Sequence, residues 1–147
     1  MLNIEFSKTI NASPAVVREL LLDHANLGLF FNAKYELVKA QDHNELPGGV
    51  GAIRRLTMRG SIFLEQIFVA GDQHIAYQIT GKGPVTNHRG DIYLTSNGVA
   101  TNLEYTIKCT APWWQPDWLV ALVIKHDIGK GLDNIVQHFA LVSEQPQ

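Results

Sequence analysis

The sequence predicts an α+β fold in which a curved antiparallel sheet of seven strands wraps around one long C-terminal helix. Three observations carry this. Residues 116–143 hold no proline beyond Pro116 and place apolar side chains at helical spacing. Nearly everything between Phe6 and Thr110 reads as short alternating runs. Turn residues separate those runs at short intervals, so consecutive strands pair antiparallel.

Residues 3–10 open the chain as a half-buried strand, with Ile4, Phe6 and Ile10 on one face and Asn3, Glu5, Ser7 and Thr9 on the other. Ser13-Pro14 then supplies an N-cap and a first helical position. Val16, Val17, Leu20 and Leu21 continue it as a helical stripe, which Asp23–Asn26 interrupts. Leu27–Phe31 is expected to form a second short helix, weakened by Gly28. Six strands follow, at Lys34–Gln41, Val50–Met58, Ser61–Ala70, His74–Thr80, Thr86–Thr95 and Ala100–Thr110. The punctuation between them is Asn44 with Pro47-Gly48-Gly49, then Arg59-Gly60, Gly71-Asp72, Gly81 to Pro84, and Asn97-Gly98, the last being the strongest hairpin signal.

In the long helix, Pro116 suits a first-turn position and Asp117 complements the helix dipole. Trp118, Ala121, Leu122, Ile124, Ile128, Leu132, Ile135, Val136, Phe139 and Val142 fall on one broad arc, with His126, Asp127, Lys130, Asp133, Asn134 and Gln137 on the other. Such an arc needs a partner surface, which the sheet provides. Gly129 and Gly131 inside the helix permit either close packing on the sheet or a bend.

At 147 residues the chain is expected to form one domain spanning 1–147. The single cysteine, Cys109, forms no internal disulfide and reads as a packed thiol. The six histidines show no HxH or HExxH spacing, so no metal site is expected. Gly48-Gly49-Val50-Gly51 precedes a strand rather than a helix and is no dinucleotide loop, so no cofactor is expected. A net charge of −2 without a basic stripe argues against nucleic acid. No secretion signal and no transmembrane segment is seen, making a cytoplasmic protein the expectation. The residues past Ser143 read as a short polar tail. The pattern sets no oligomeric state.

The order strand, two helices, six strands, long helix, together with SPAVVRELLLDHANLGLFF, GGVGAIRR, IFLEQIF and KGLDNIVQHFALVSE, resembles the SRPBCC superfamily. That superfamily has the START-like, helix-grip fold and includes polyketide cyclase/dehydrase-like proteins. The resemblance covers nearly the whole chain. One departure is Arg18 after Val17, where tryptophan is common in the family. The resemblance implies a hydrophobic ligand held between the sheet and the long helix.

Strand parity nominates polar residues for such a cavity. Arg54 shares a face with Leu56 and Met58, while Arg55 and Arg59 point the other way. Tyr77 lies with Ile75 and Ile79, and His88 with Ile92 and Leu94, with Gly90 leaving room between them. Tyr105 aligns with Leu103, Ile107 and Cys109, putting Glu104 outside. The fourth strand carries apolar residues on both faces, so either Glu65 or Gln66 points inward. Lys125, inside the apolar arc, is either a cavity group or a rim residue on a long stem. Trp118, with Trp113 and Trp114, is a plug, a cavity mouth or a contact patch.

The expected function is binding of a small hydrophobic molecule: a lipid, an isoprenoid or quinone-like compound, or an aromatic polyketide. One alternative is a polyketide cyclase/dehydratase-like enzyme using the same cavity. There Arg54 would polarise a carbonyl, His88 or Glu65 would move protons, and Tyr105 would donate a hydrogen bond. Another is a protein-interaction module docking through an exposed Trp113–Trp114 surface.

Overall fold

The computed structural model describes residues 1–144, with side chains as far as Leu141. Val142 and the polar tail past Glu144 lie outside the described side chains. The elements run β1 (Leu2–Ile10), α1 (Pro14–Leu22), a 3-10 helix (His24–Leu29), β2 (Lys34–Lys39), β3 (Ile53–Met58), β4 (Ser61–Ala70), β5 (His74–Thr80), β6 (Thr86–Asn97), β7 (Ala100–Thr110) and α2 (Asp117–Glu144). The strands form one antiparallel sheet in the order β1-β7-β6-β5-β4-β3-β2. Apart from the β1–β7 pairing that joins the chain's first strand to its last, every neighbour in the sheet is a neighbour in sequence. Among the described residues no helix is long and apolar enough to cross a membrane.

Local chemistry explains the boundaries. The Ser13 hydroxyl accepts from the Val16 amide at 3.4 Å, and Pro14 starts α1 without losing a needed donor. The second helix begins at His24, earlier than the apolar pattern of Leu27–Phe31 suggests. It is a 3-10 turn because the Phe30 amide donates to the Leu27 carbonyl three residues back (3.0 Å). β2 ends at Lys39 and β3 begins at Ile53, so the strand readings reaching Gln41 and starting at Val50 are too long. The residues between them bond in turns instead, as in Glu45 N–H to the Asp42 carbonyl (3.1 Å) and Gly49 N–H to the Leu46 carbonyl (2.8 Å).

The helix α2 does two jobs along its length. In its C-terminal half, Leu132 and Ile135 are fully buried and join Phe139 in a solid core with Ile10, Val17, Leu94 and Leu103. Burying each such aliphatic side chain contributes about 1.5–3 kcal/mol. Gly131 belongs to this packing: a Cβ there would collide with the Phe31 ring, so the absent side chain lets the ring lie on the helix backbone. In its N-terminal half, Leu119, Val120, Val123, Ile124, Asp127 and Ile128 instead face an open space under the sheet.

The buried face therefore turns along α2, and the single arc drawn from sequence fits the C-terminal half, while in the N-terminal half it holds for Ile124 and Ile128 but not for Trp118 and Leu122. Trp118 sits two residues before Val120, on nearly the opposite side of the helix at about 100° per residue. It is 69% exposed, and Leu122 and Lys125 are exposed with it. Asp127, expected on the solvent arc, is buried at 6% exposure. Its carboxylate is met by Arg59, whose Nε and Nη2 each donate to it at 2.8 Å. Arg59 in turn departs from strand parity: at φ 50° it occupies the β3–β4 hairpin, where alternation no longer applies.

Candidate ligand-binding cavity

Between the sheet and the N-terminal half of α2 lies a cavity of about 350 Å³. That is within the range of small-molecule sites. Its walls are largely apolar, including Leu56, Phe63, Ile75, Ile92, Ile107 and Val123. Alternation supplies these residues. In β7, Thr101, Leu103, Tyr105, Ile107 and Cys109 are all buried while Glu104 and Lys108 are exposed.

Arg54, Glu65, Tyr77, His88 and Tyr105 all line this space. Glu65 points inward with Phe63 and Ile67, and Gln66 lies on the other face of β4. A register shift between Ile67 and Val69 makes Phe68 the extra residue, and it packs under the Arg89 guanidinium. Trp118 and Lys125 are not in the lining. Trp113 (95% exposed) and Trp114 (64% exposed) are also outside, so the tryptophans do not plug the grip.

At the centre is a buried ion pair. Arg54 and Glu65 face each other across β3 and β4. Arg54 Nε donates to Glu65 Oε1 at 2.9 Å, and Nη2 lies 2.7 Å from the same oxygen. Burial is the largest single influence and opposes the guanidinium charge, but Glu65 together with Tyr35, Tyr77 and Tyr105 outweighs it and holds the Arg54 pKa above its ordinary value. The guanidinium also lies over the Tyr77 ring at 4.7 Å and the Tyr35 ring at 5.5 Å. Tyr35 joins the lining although nothing in its spacing singles it out.

His24 completes the support. Arg54 Nη1 approaches His24 Nδ1 at 3.3 Å, and His24 Nε2 lies 2.7 Å from the Gly48 carbonyl. Arginine can only donate and a carbonyl can only accept, so His24 is neutral with its proton on Nε2. Burial, reinforced by Arg54, lowers its pKa to about 4. Nothing in the spacing of His24 points to this role, because its partners are 24 and 30 residues away.

His88 is oriented in the same manner. The Ile79 amide donates to His88 Nδ1 at 3.1 Å, which leaves the proton on Nε2. Burial lowers its pKa below the ordinary value, the nearby Glu65 notwithstanding. The Tyr77 and Tyr105 hydroxyls are hydrogen-bonded to one another, and burial raises both pKa values. Among the described residues no three His, Cys, Asp or Glu side chains are grouped as metal ligands.

Gly90 lets this arrangement form. A Cβ there would run into the Tyr77 ring. Gly90→Ala is therefore expected to push that ring into the cavity and disturb the tyrosine pair. The expected cost is about 1–3 kcal/mol of stability, as for overpacking elsewhere, read by urea denaturation. Unchanged stability would mean the ring has room to move aside.

Similarity to known proteins agrees with this geometry. Residues 1–140 match the family described as polyketide cyclase / dehydrase and lipid transport. No curated protein matches the chain. Among solved structures, XoxI from Bacillus cereus is 19% identical, with 99% of this chain and 100% of that one covered at a TM-score of 0.76. A START superfamily protein from Mycobacterium smegmatis is 12% identical, with coverage of 95% and 98% and a TM-score of 0.80. The Zhui aromatase/cyclase from a Streptomyces species is 17% identical, with coverage of 95% and 93% and a TM-score of 0.76. At these identities the structures speak for the fold, which is the START-like helix grip. With the family match spanning nearly its whole length, the chain belongs to the polyketide cyclase/dehydrase and lipid transport family.

Proposed function

We propose that the protein binds a small hydrophobic molecule, of the lipid, isoprenoid, quinone-like or aromatic polyketide kind, in the cavity between the sheet and α2. The observation that supports this most is the cavity itself: about 350 Å³, largely apolar, with a few polar groups converging at one place. Family membership points the same way. Thermal unfolding with lipids, quinones and aromatic polyketides tests it. A ligand at about 100 times its Kd should add about 2.7 kcal/mol of stability, a rise of several degrees for a domain of this size. A panel with no stabilising member speaks against the proposal.

A cyclase- or dehydratase-like reaction is the second reading, favoured by the convergence of Arg54, Glu65, Tyr77, His88 and Tyr105 on one cavity. The ion pair engages Arg54 and Glu65 Oε1, and the tyrosines bond each other, so His88 Nε2 and Glu65 Oε2 are the atoms left to move protons. Under this reading a His88→Phe variant should still bind a poly-β-ketone through the apolar walls and lose its conversion. Equal turnover in both proteins would remove the catalytic role.

A further inference from the structure

At the polar end of the cavity two groups lie just beyond each other's reach. Both Arg54 contacts to Glu65 fall on Oε1. The other oxygen, Oε2, lies 3.9 Å from His88 Nε2. That is too far for a direct hydrogen bond. His88 Nε2 carries a proton, because Nδ1 is occupied as an acceptor by the Ile79 amide. A donor and an acceptor thus face each other across a gap, on side chains that are 8% and 6% exposed, and both residues line the cavity.

We infer that this gap is the recognition point for one hydroxyl group on an otherwise apolar, uncharged ligand. The inference rests on the binding reading above and narrows it. A hydroxyl oxygen can accept from His88 Nε2–H while its proton goes to Glu65 Oε2, which satisfies both groups at once. A ketone oxygen can accept from His88 but leaves Glu65 Oε2 unmet. A carboxylate or phosphate meets no unpaired cation among the described lining residues, because Arg54 is held by Glu65 and directed to His24 Nδ1 at 3.3 Å, and Arg59 is held by Asp127. It would instead confront the Glu65 charge in a low-dielectric site. An ammonium group can donate to Glu65 but cannot accept from His88.

Three probes of one ring system test this: 2-naphthol, 2-methoxynaphthalene and 2-naphthoate, titrated calorimetrically into the wild-type protein. The expected order places 2-naphthol about tenfold or more tighter than 2-methoxynaphthalene, the size of a hydrogen bond to a charged group. 2-Naphthoate should be the weakest. In the double variant Arg54→Met with Glu65→Leu, which removes the acceptor of the hydroxyl proton without stranding a buried charge, the preference for naphthol over its methyl ether should shrink to about threefold or less. The wild-type ranking stands alone should that variant fold poorly. Saturable binding with no naphthol preference, or with naphthoate tightest, would overturn the hydroxyl inference while leaving hydrophobic binding in place. No binding by any of the three up to about 1 mM would count against both.

Discussion

Replacing Arg54 with methionine is expected to destabilise the protein by about 3–5 kcal/mol, because it leaves the Glu65 carboxylate buried without its partner. Arg54 and Glu65 are only 6% and 5% exposed, so the carboxylate left behind is largely desolvated. The same change removes the donor to His24 Nδ1 and the cation over Tyr77 and Tyr35. The paired change Arg54→Met with Glu65→Leu should recover most of the loss, since an apolar pair of similar volume avoids burying either charge. Urea denaturation of the two variants decides it. A single variant as stable as wild type would show that the pair is not held as described. A double variant no better than the single one would mean that the His24 and tyrosine contacts dominate.

The second large effect is a dependence on pH. The folded-state pKa of His24 is about 4, against an ordinary value of 6.5. Between those values the unfolded chain binds the proton and the folded protein does not, so stability increases with pH across this window. The contribution is fully present above about pH 6.5 and is lost as pH falls towards 4. The loss amounts to about 3 kcal/mol for a shift of this size. His88 is shifted in the same direction, for the same reason of burial, and adds to the slope. His24→Gln can accept from Arg54 and donate to Gly48 without titrating. Its stability curve should be flatter than wild type between pH 4 and 6.5, which separates His24 from the carboxylates that titrate nearby. Parallel curves would contradict the assignment.

The sheet was legible because its information is local. Turn residues set the strand ends, and β7 shows one unbroken alternation from Thr101 to Cys109. What sequence reading missed depends on tertiary partners. Asp127 reads as a solvent residue until Arg59 arrives from the β3–β4 hairpin, 68 residues away, to pair with it. Arg59 reads as outward because parity assumes an extended backbone, and at φ 50° it has left the strand. Trp118 and Leu122 read as buried because a single arc assumes one buried face, whereas that of α2 turns where cavity gives way to core. Parity does not separate Glu65 from Gln66, because Ile62, Leu64 and Phe68 make the outer face of β4 apolar as well. His24 and Tyr35 escaped notice because each is defined by its contact with Arg54.

The central claim is that the cavity under the sheet is a binding site for an apolar molecule. Methyl NMR of isoleucine-labelled protein tests it most directly, during titration with a short-chain quinone, a fatty alcohol and 2-naphthol. The predicted result is saturable, 1:1 perturbation by at least one compound, concentrated on Ile75, Ile92, Ile107 and Ile128, which line the cavity. Ile62, 67% exposed on the outer face of β4, should stay still. Perturbation confined to Ile62 and other surface positions, or unchanged cavity methyls with all three compounds, would contradict the account.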